Sequence, residues 1–328
     1  MLKVMNRGHS TFAAILLVLA LQAPRDTSWA AMPEPVDLRS AARFVLLAGT
    51  AITSTGGGAL QGDVGTSPIT GAAITGLTPA QVAGVIYTVD GTGPASSIMD
   101  PGLLATAKAD LALAYLDAEG RAPATPILGG TLAGTWLPGL YKDNGTPASL
   151  GLTGTMVLDA QGDPDAVWIF QSGSTLITEI DSRVILTNGA QSRHVFWLVR
   201  SSATLKGGSV FKGTILALTA ITLDAGVALK GRALAQNTAI TFNGNLATLP
   251  APEAPAFTDI HRVPGDATRV SLTTTPYFHL SLQTSSNLLR TNWITIAVDI
   301  PDADIWSYTD TTAIAQETLR FYRAVITH

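Results

Sequence analysis

The tetrapeptide Thr-Ala-Ile-Thr stands at residues 50–53, 219–222 and 238–241, the last two inside the near-copies "LTAITLD" (218–224) and "NTAITFN" (237–243). Threonine without a neighbouring base is no nucleophile. What it offers is one hydroxyl and one methyl on a stiff χ1. Repeated at fixed spacing, such residues can organise water rather than break bonds. Conventional catalytic chemistry finds little support elsewhere. His9, His194, His261, His279 and His328 form neither an HxH nor an HExxH spacing. Asp159, Asp163 and Asp165 in "DAQGDPDA" suggest a calcium loop, but the EF-hand spacing and closing Glu are missing, and Gly162 with Pro164 reads as a turn. "GGGALQG" (56–62) is not GxGxxG, and no GxSxG elbow or Ser/His/Asp set stands out. A glycan-cleaving enzyme would need positioned carboxylates, which are not apparent. With no cysteine in the chain, disulfides, thiolate zinc sites and thiol nucleophiles are excluded. The expectation is therefore a protein without cofactor, metal or catalysis.

The elements that must hold these threonines are short strands. Residues 36–99 alternate Thr/Gly/Ala/Ile runs with glycine clusters, so "GGGALQG" reads as a corner between strands. The segment "DPGLLATAKADLALAYLDAEGR" differs. Asp100 is an N-cap, Pro101 takes the first helical position and Gly120 closes the run, while Leu104, Ala107, Leu111, Ala114, Tyr115 and Ala118 form one apolar stripe. This predicts a helix over about 100–119 lying on a flat apolar surface. Its charged residues Lys108 and Asp110 read as a solvated face.

Strand texture returns over 126–250. "WIFQSGSTLIT" (168–178), "FWLVRSSATLK" (196–206), "TILALTAITLD" (214–224) and "RALAQNTAITF" (232–242) each join an apolar strand, a small polar corner and a short Thr-bearing strand. Third strands follow at "SRVILT" (182–187), "SVFKG" (209–213) and "GVALKG" (226–231). Three short strands per repeat describe one turn of a triangular β-solenoid. Strand alternation then sends Ile221, Leu223, Ile240 and Phe242 inward. It turns outward Ala220, Thr222 and Asp224, Ala239, Thr241 and Asn243, Ser202, Thr204 and Lys206, and Ala51, Thr53 and Thr55. A flat, uncharged Thr/Ala grid results.

Composition agrees with such a surface. The 328 residues are 13% charged, against about 25% for ordinary soluble chains. The formal net charge of −4 and the scattered Lys and Arg give no footprint for nucleic acid or an anionic membrane. At the N-terminus Lys3 and Arg7, the apolar run Phe12 to Leu21 and the small-x-small Ser28-Trp29-Ala30 read as a signal peptide over 1–30. No later segment reads as transmembrane, so the mature chain is expected to start near Ala31 and to be secreted. After 248 come a Pro/Ala linker, "LPAPEAPAF" ending at 257, and a small aromatic-rich β-sandwich-like module over 258–328.

"FVLLAGTAITSTGGGALQGDVGTSPITGAAITG" (44–76), the "DPGLLATAKADL" helix, "LPGLY" (137–141), "LTGTMVLDAQGDPDAVWIFQSGSTL" (152–176), "NGAQSRHVFWLVRSSATL" (188–205) and "FKGTILALTAITL" (211–223) together resemble the microbial ice-binding proteins of the discontinuous β-solenoid type. The resemblance covers roughly 36–248. It implies a mainly β fold, a right-handed triangular solenoid with one long helix alongside, and a flat face that binds ice without cofactor or catalysis. Some members carry T-A/G-x-T/N on that face, matched here at Thr50 to Thr53, Thr75 to Thr78, Thr219 to Thr222 and Thr238 to Thr241 but not in "FQSGSTLIT" or "RSSATLK". Resemblance and register together nominate Thr53, Thr55, Thr204, Thr219, Ala220, Thr222, Thr238, Ala239, Thr241 and Asn243. The terminal "LQTSSNLLRTNWITI", "DIPDADIWSYTDTTA" and "RFYRA" resemble a fibronectin type III-like module of secreted bacterial proteins, which implies cell-surface attachment. The expected function is that of a secreted protein adsorbing to ice and inhibiting its growth or recrystallisation. The alternative is an adhesin or spacer of the same fold.

Overall fold

The computed structural model describes residues 32–328 apart from 147, 266, 276, 277, 287–292, 302, 304, 313–319 and 328. The expected signal peptide lies outside the described residues. From residue 44 to 248 short strands stack in parallel register into three flat faces.

One face runs from Thr131 and Leu132 through Leu150–Leu152 residues of a longer strand to Leu176–Thr178, Ala203–Leu205, Ile221–Leu223 and Ile240–Phe242. There the ladder leaves sequence order. Ile240–Phe242 pairs next with Ile52–Ser54, and that strand with Ile74–Thr75. The second face makes the same jump, since Ala233 and Leu234 pair with Leu46 and Leu47. The chain thus starts near one end of the stack, winds outward to Ile98–Met99, and reappears at the opposite end at Thr125–Ile127. The connection is the helix, α1, Pro101–Gly120. Its 20 residues cover about 30 Å, comparable to the roughly 34 Å of a stack of eight strands.

Helix α1 forms where its signals place it. Asp100 Oδ1 accepts from the Leu103 amide at 2.9 Å, and Pro101 occupies the first turn. The predicted stripe Leu104, Ala107, Leu111, Ala114, Tyr115 and Ala118 is the buried set, packed on Leu47, Leu198, Leu216 and Leu234 of the second face. Because this face is buried on both sides, its strands, such as Val195–Val199, are apolar at every position instead of alternating. The last turn has no basic residue; its carbonyls are met instead by Gln171 Nε2, which donates to Ala118 at 2.7 Å and Arg121 at 3.2 Å. Lys108 and Asp110 depart from expectation. Lys108 Nζ donates to the carbonyls of Ala235 and Gln236 at 2.8 and 2.5 Å, and burial pushes its pKa down to about 8. Asp110 accepts from the Ser40 amide and hydroxyl. Both side chains fasten the helix to the solenoid, because a helix covered along one side has its flanking positions over protein rather than water.

Inside the solenoid Tyr141, Phe170 and Trp197 stack on successive strands, with centroids 5.3 and 4.4 Å apart, and Ile215, Ala233, Leu46 and Val64 continue the column. At one corner of the third face the backbone turns so tightly that a Cβ on Gly231 would overlap the Gly213 carbonyl. "GGGALQG" is likewise a corner, with Gly56, Gly57 and Gly58 at positive φ.

The C-terminal residues form two antiparallel three-stranded sheets: Phe257–Val263, Ala267–Thr273 and Ile305–Asp310 in one, Ile294–Asp299, His279–Ser285 and Phe321–Thr327 in the other. Their shared core is Val270, Leu272, Leu280 and Leu282, with Trp306, Tyr308 and Tyr322 packed around it. The Pro/Ala segment at 249–257 is tied down along its length. Leu249 is buried in the solenoid core, Glu253 and Ala256 amides donate to Thr275 and Thr273 hydroxyls, and Phe257 already belongs to a strand.

Leu111 is 1% exposed beneath α1, so Leu111→Ala is expected to cost about 2–5 kcal/mol. Thermal or urea unfolding reads this directly; a cost under about 1 kcal/mol would mean the helix does not seal that face.

Candidate functional site

The bare face is built by register. Each of its strands turns one residue outward between two inward neighbours. The outward positions align as Thr131, Gly151, Ile177, Thr204, Thr222, Thr241, Thr53 and Thr75. Five threonines in succession, Thr204 to Thr75, therefore form one column at about 4.8 Å intervals. Thr75 Oγ1 reaches Thr53 Oγ1 at 3.4 Å. Below them Ala203, Ile221, Ile240, Ile52 and Ile74 form an inward column that is wholly or almost wholly buried, which holds the threonine backbones level.

A second outward column lies two residues earlier. The amides of Ala203, Ile221 and Ile240 donate to the carbonyls of Ala220, Ala239 and Ala51, which aligns Ser202, Ala220, Ala239 and Ala51 beside the threonines. Next to Thr75 the pattern changes, because Gly71–Ala73 forms a short 3-10 turn before Ile74. The two columns, about 6–7 Å apart along the strand, contain no titratable group. Charge flanks the opposite side of the threonines. There the amide of Asp224 donates to the Leu205 carbonyl and that of Asn243 to the Leu223 carbonyl, and Thr55 follows on Phe242, so Lys206, Asp224, Asn243 and Thr55 share an edge. Lys206 Nζ meets Glu179 at 2.9 Å on that edge.

The structure thus sorts the nominated residues. Thr53, Thr204, Thr222 and Thr241 share one column, and Ala220 and Ala239 the next. Thr55 and Asn243 stand on the rim. Thr219 and Thr238 lie in the corner: Thr219 Oγ1 is engaged with Ser202 Oγ at 2.8 Å, and Thr238 Oγ1 is buried without a partner. The repeating unit displayed on the face is accordingly Ala-Ile-Thr rather than Thr-Ala-Ile-Thr. Within "AAIT" (72–75) Thr75 is the face residue, as the last position of its motif and not the first of Thr75 to Thr78. Thr78 instead starts a short helical turn, its amide donating to Gln81 at 2.8 Å.

The acidic "DAQGDPDA" segment makes turns away from this face. Asp159 Oδ1 accepts from the Gln161 amide and Asn188 Nδ2, and Asp163 Oδ1 from the Asp165 amide, each bond between 2.7 and 2.9 Å. Among the described residues no group of three or more His, Asp or Glu is placed to hold a metal.

Helix, stacked parallel strands and one level Thr/Ala face define a class of helix-backed β-solenoids. Residues 46–248 match the family described as Ice-binding-like, and the chain belongs to that family. It is 40% identical over 221 residues to an ice-binding protein of Flavobacterium frigoris (strain PS1), covering 66% of this chain and 76% of that one. An ice-binding protein of Nostoc sp. (strain HG1) is 38% identical over 247 residues, covering 75% and 83%. Among solved structures, that of an ice binding protein from an Antarctic biological consortium superposes with a TM-score of 0.57 at 36% identity, over 68% of this chain and 95% of that one.

Ser54 takes the inward place below the column's N-terminal-derived end, beside Phe242, and its Oγ is buried without a partner. Ser54→Ala is therefore expected to leave stability unchanged or raise it by up to about 1 kcal/mol. A loss beyond about 1 kcal/mol in thermal unfolding would show that this hydroxyl is satisfied, for instance by buried water.

Proposed function

We propose that this chain binds ice through the Thr/Ala face, acting by adsorption and without catalysis. The observation that carries this reading is the five-threonine column, Thr204, Thr222, Thr241, Thr53 and Thr75, in continuous register beside a column of Ser and Ala on a face that, among the described residues, no other element covers. The methyls give water a surface without competing hydrogen-bond partners, and the hydroxyls anchor it. Because folding has already fixed the threonines, little side-chain freedom remains to be lost on contact with a lattice. Many weak contacts at regular spacing then add up on ice, whereas the same contacts on a disordered surface do not.

The protein is, on this reading, exported by cleavage near residue 30, and its adsorption slows ice growth or recrystallisation. Residues 31–248 would be the ice-adsorbing unit. The two-sheet module beyond 257 would attach it to a cell surface. Among the described residues no helix is long and apolar enough to cross a membrane.

The test is thermal hysteresis and recrystallisation inhibition by the chain from residue 31 onward, beside Thr222→Tyr. Thr222 stands between Thr204 and Thr241 in the column and is half-buried, so a phenol ring there lifts the ice plane from both neighbours while leaving the core unchanged. The variant should lose most of its activity at an unaltered melting temperature. Equal activity in both would place ice contact on another face. Inactivity of the parent would favour a spacer or adhesin role.

A further inference from the structure

Away from the Thr/Ala face, a cavity of about 440 Å³ opens between the N-terminal segment at Val36 and Leu38, the solenoid at Phe196 and Arg232, and the terminal module at Thr275 and Phe278. Its unusual member is Arg232, only 5% exposed. Arg232 Nε donates to the Ala42 carbonyl at 2.7 Å and Nη1 to Thr214 Oγ1 at 3.3 Å. A guanidinium has five N–H donors, so three remain. Among the described residues no carboxylate lies within ion-pair distance of it. Burial lowers its pKa to about 10, which still leaves it protonated at neutral pH. Arginine is almost never fully buried unless paired, since an uncompensated buried charge costs several kcal/mol.

The other charges around the cavity do not offset it. Arg39 is matched by Asp37 at 3.5 Å and also approaches Asp110 at 3.8 Å, while Arg193 is matched by Glu253 at 3.0 Å. His194 also lines the wall, but burial and the adjacent Arg193 push its pKa down, which keeps it neutral. With both carboxylates of the lining already paired, the surplus positive charge of the wall is that of Arg232.

We propose that this cavity is a binding site for a small oxyanion, a carboxylate, phosphate or sulfate, held by the free N–H groups of Arg232. The volume lies in the range of small-ligand pockets, about 300–1,000 Å³. A bound anion would complete the charge pairing of the solenoid wall. Contacting all three parts of the lining, it would also fasten the terminal module to the solenoid. The site is independent of the ice-adsorbing face and of whether that face acts as proposed.

The experiment is isothermal titration of the full chain with sodium phosphate, sodium sulfate and sodium acetate in separate arms at constant ionic strength, for the parent, Arg232→Met and Glu253→Gln. The three arms distinguish which oxyanion the site prefers. Glu253 is 54% exposed in its side chain, so its replacement spares the core and frees Arg193. The parent should bind one anion saturably, Glu253→Gln more tightly, and Arg232→Met at least tenfold more weakly, a loss of about 1.4 kcal/mol. Equal binding by Arg232→Met and the parent would overturn the site, as would no saturable binding by either the parent or Glu253→Gln in any arm. Should Arg232→Met fail to fold, Glu253→Gln decides: affinity no higher than the parent's overturns the proposal.

Discussion

The pairing of Ile52–Ser54 with Ile240–Phe242, and of Leu46 and Leu47 with Ala233 and Leu234, joins strands from opposite ends of the solenoid sequence. Remove that seam and the stack falls into two pieces, each with exposed strand edges. With it, Thr53 stands in line with Thr241, and the threonine column crosses the break without a step. Long-range parallel pairing of this kind closes a large loop and gains no local turn in return. The compensation is α1, which returns the chain along the stack and buries the leucines of the second face as it passes.

That arrangement also decides which face is free. Of three sides, α1 covers one. A second carries Arg183, Lys212 and Lys230 among apolar residues, with Lys212 and Lys230 directly paired in register. The remaining side combines level backbone with two columns of Thr, Ser and Ala between Thr204 and Thr53 that hold no charge, the charges Lys206, Glu179 and Asp224 standing at its edge. Its flatness is a property of the interior. Isoleucines beneath the column and the stacked Tyr141, Phe170 and Trp197 at the other end fill the coil, and a close-packed interior leaves the surface residues little slack.

Much of this was legible in the residues themselves. The apolar stripe of α1, its cap at Asp100, the three-strand repeat and the outward placement of Thr53, Thr204, Thr222 and Thr241 all follow from local periodicity. What local periodicity does not contain is the seam. Nothing in "TAIT" at 50–53 says that it lies between residues 240 and 74 in space, and so Thr75, matched only as the start of Thr75 to Thr78, is not among the nominated residues. The corner positions Thr219 and Thr238 show a second limit: identical tetrapeptides repeat their corners as faithfully as their faces, and only the direction of each side chain separates the two. Lys108 and Asp110 show a third. Both read as a solvated face of α1, because the groups that receive them, the Ala235 and Gln236 carbonyls and Ser40, are remote in sequence.

Ice contact is proposed for the in-register Thr/Ala face and not for the fold at large. Incorporation of the fluorescently labelled protein into a growing ice hemisphere tests it most directly, comparing Thr241→Lys on that face with Lys230→Thr on the basic face. Thr241→Lys is expected to be excluded from the ice while Lys230→Thr enters it as the parent does. Equal incorporation of both variants, or exclusion of Lys230→Thr alone, would contradict it.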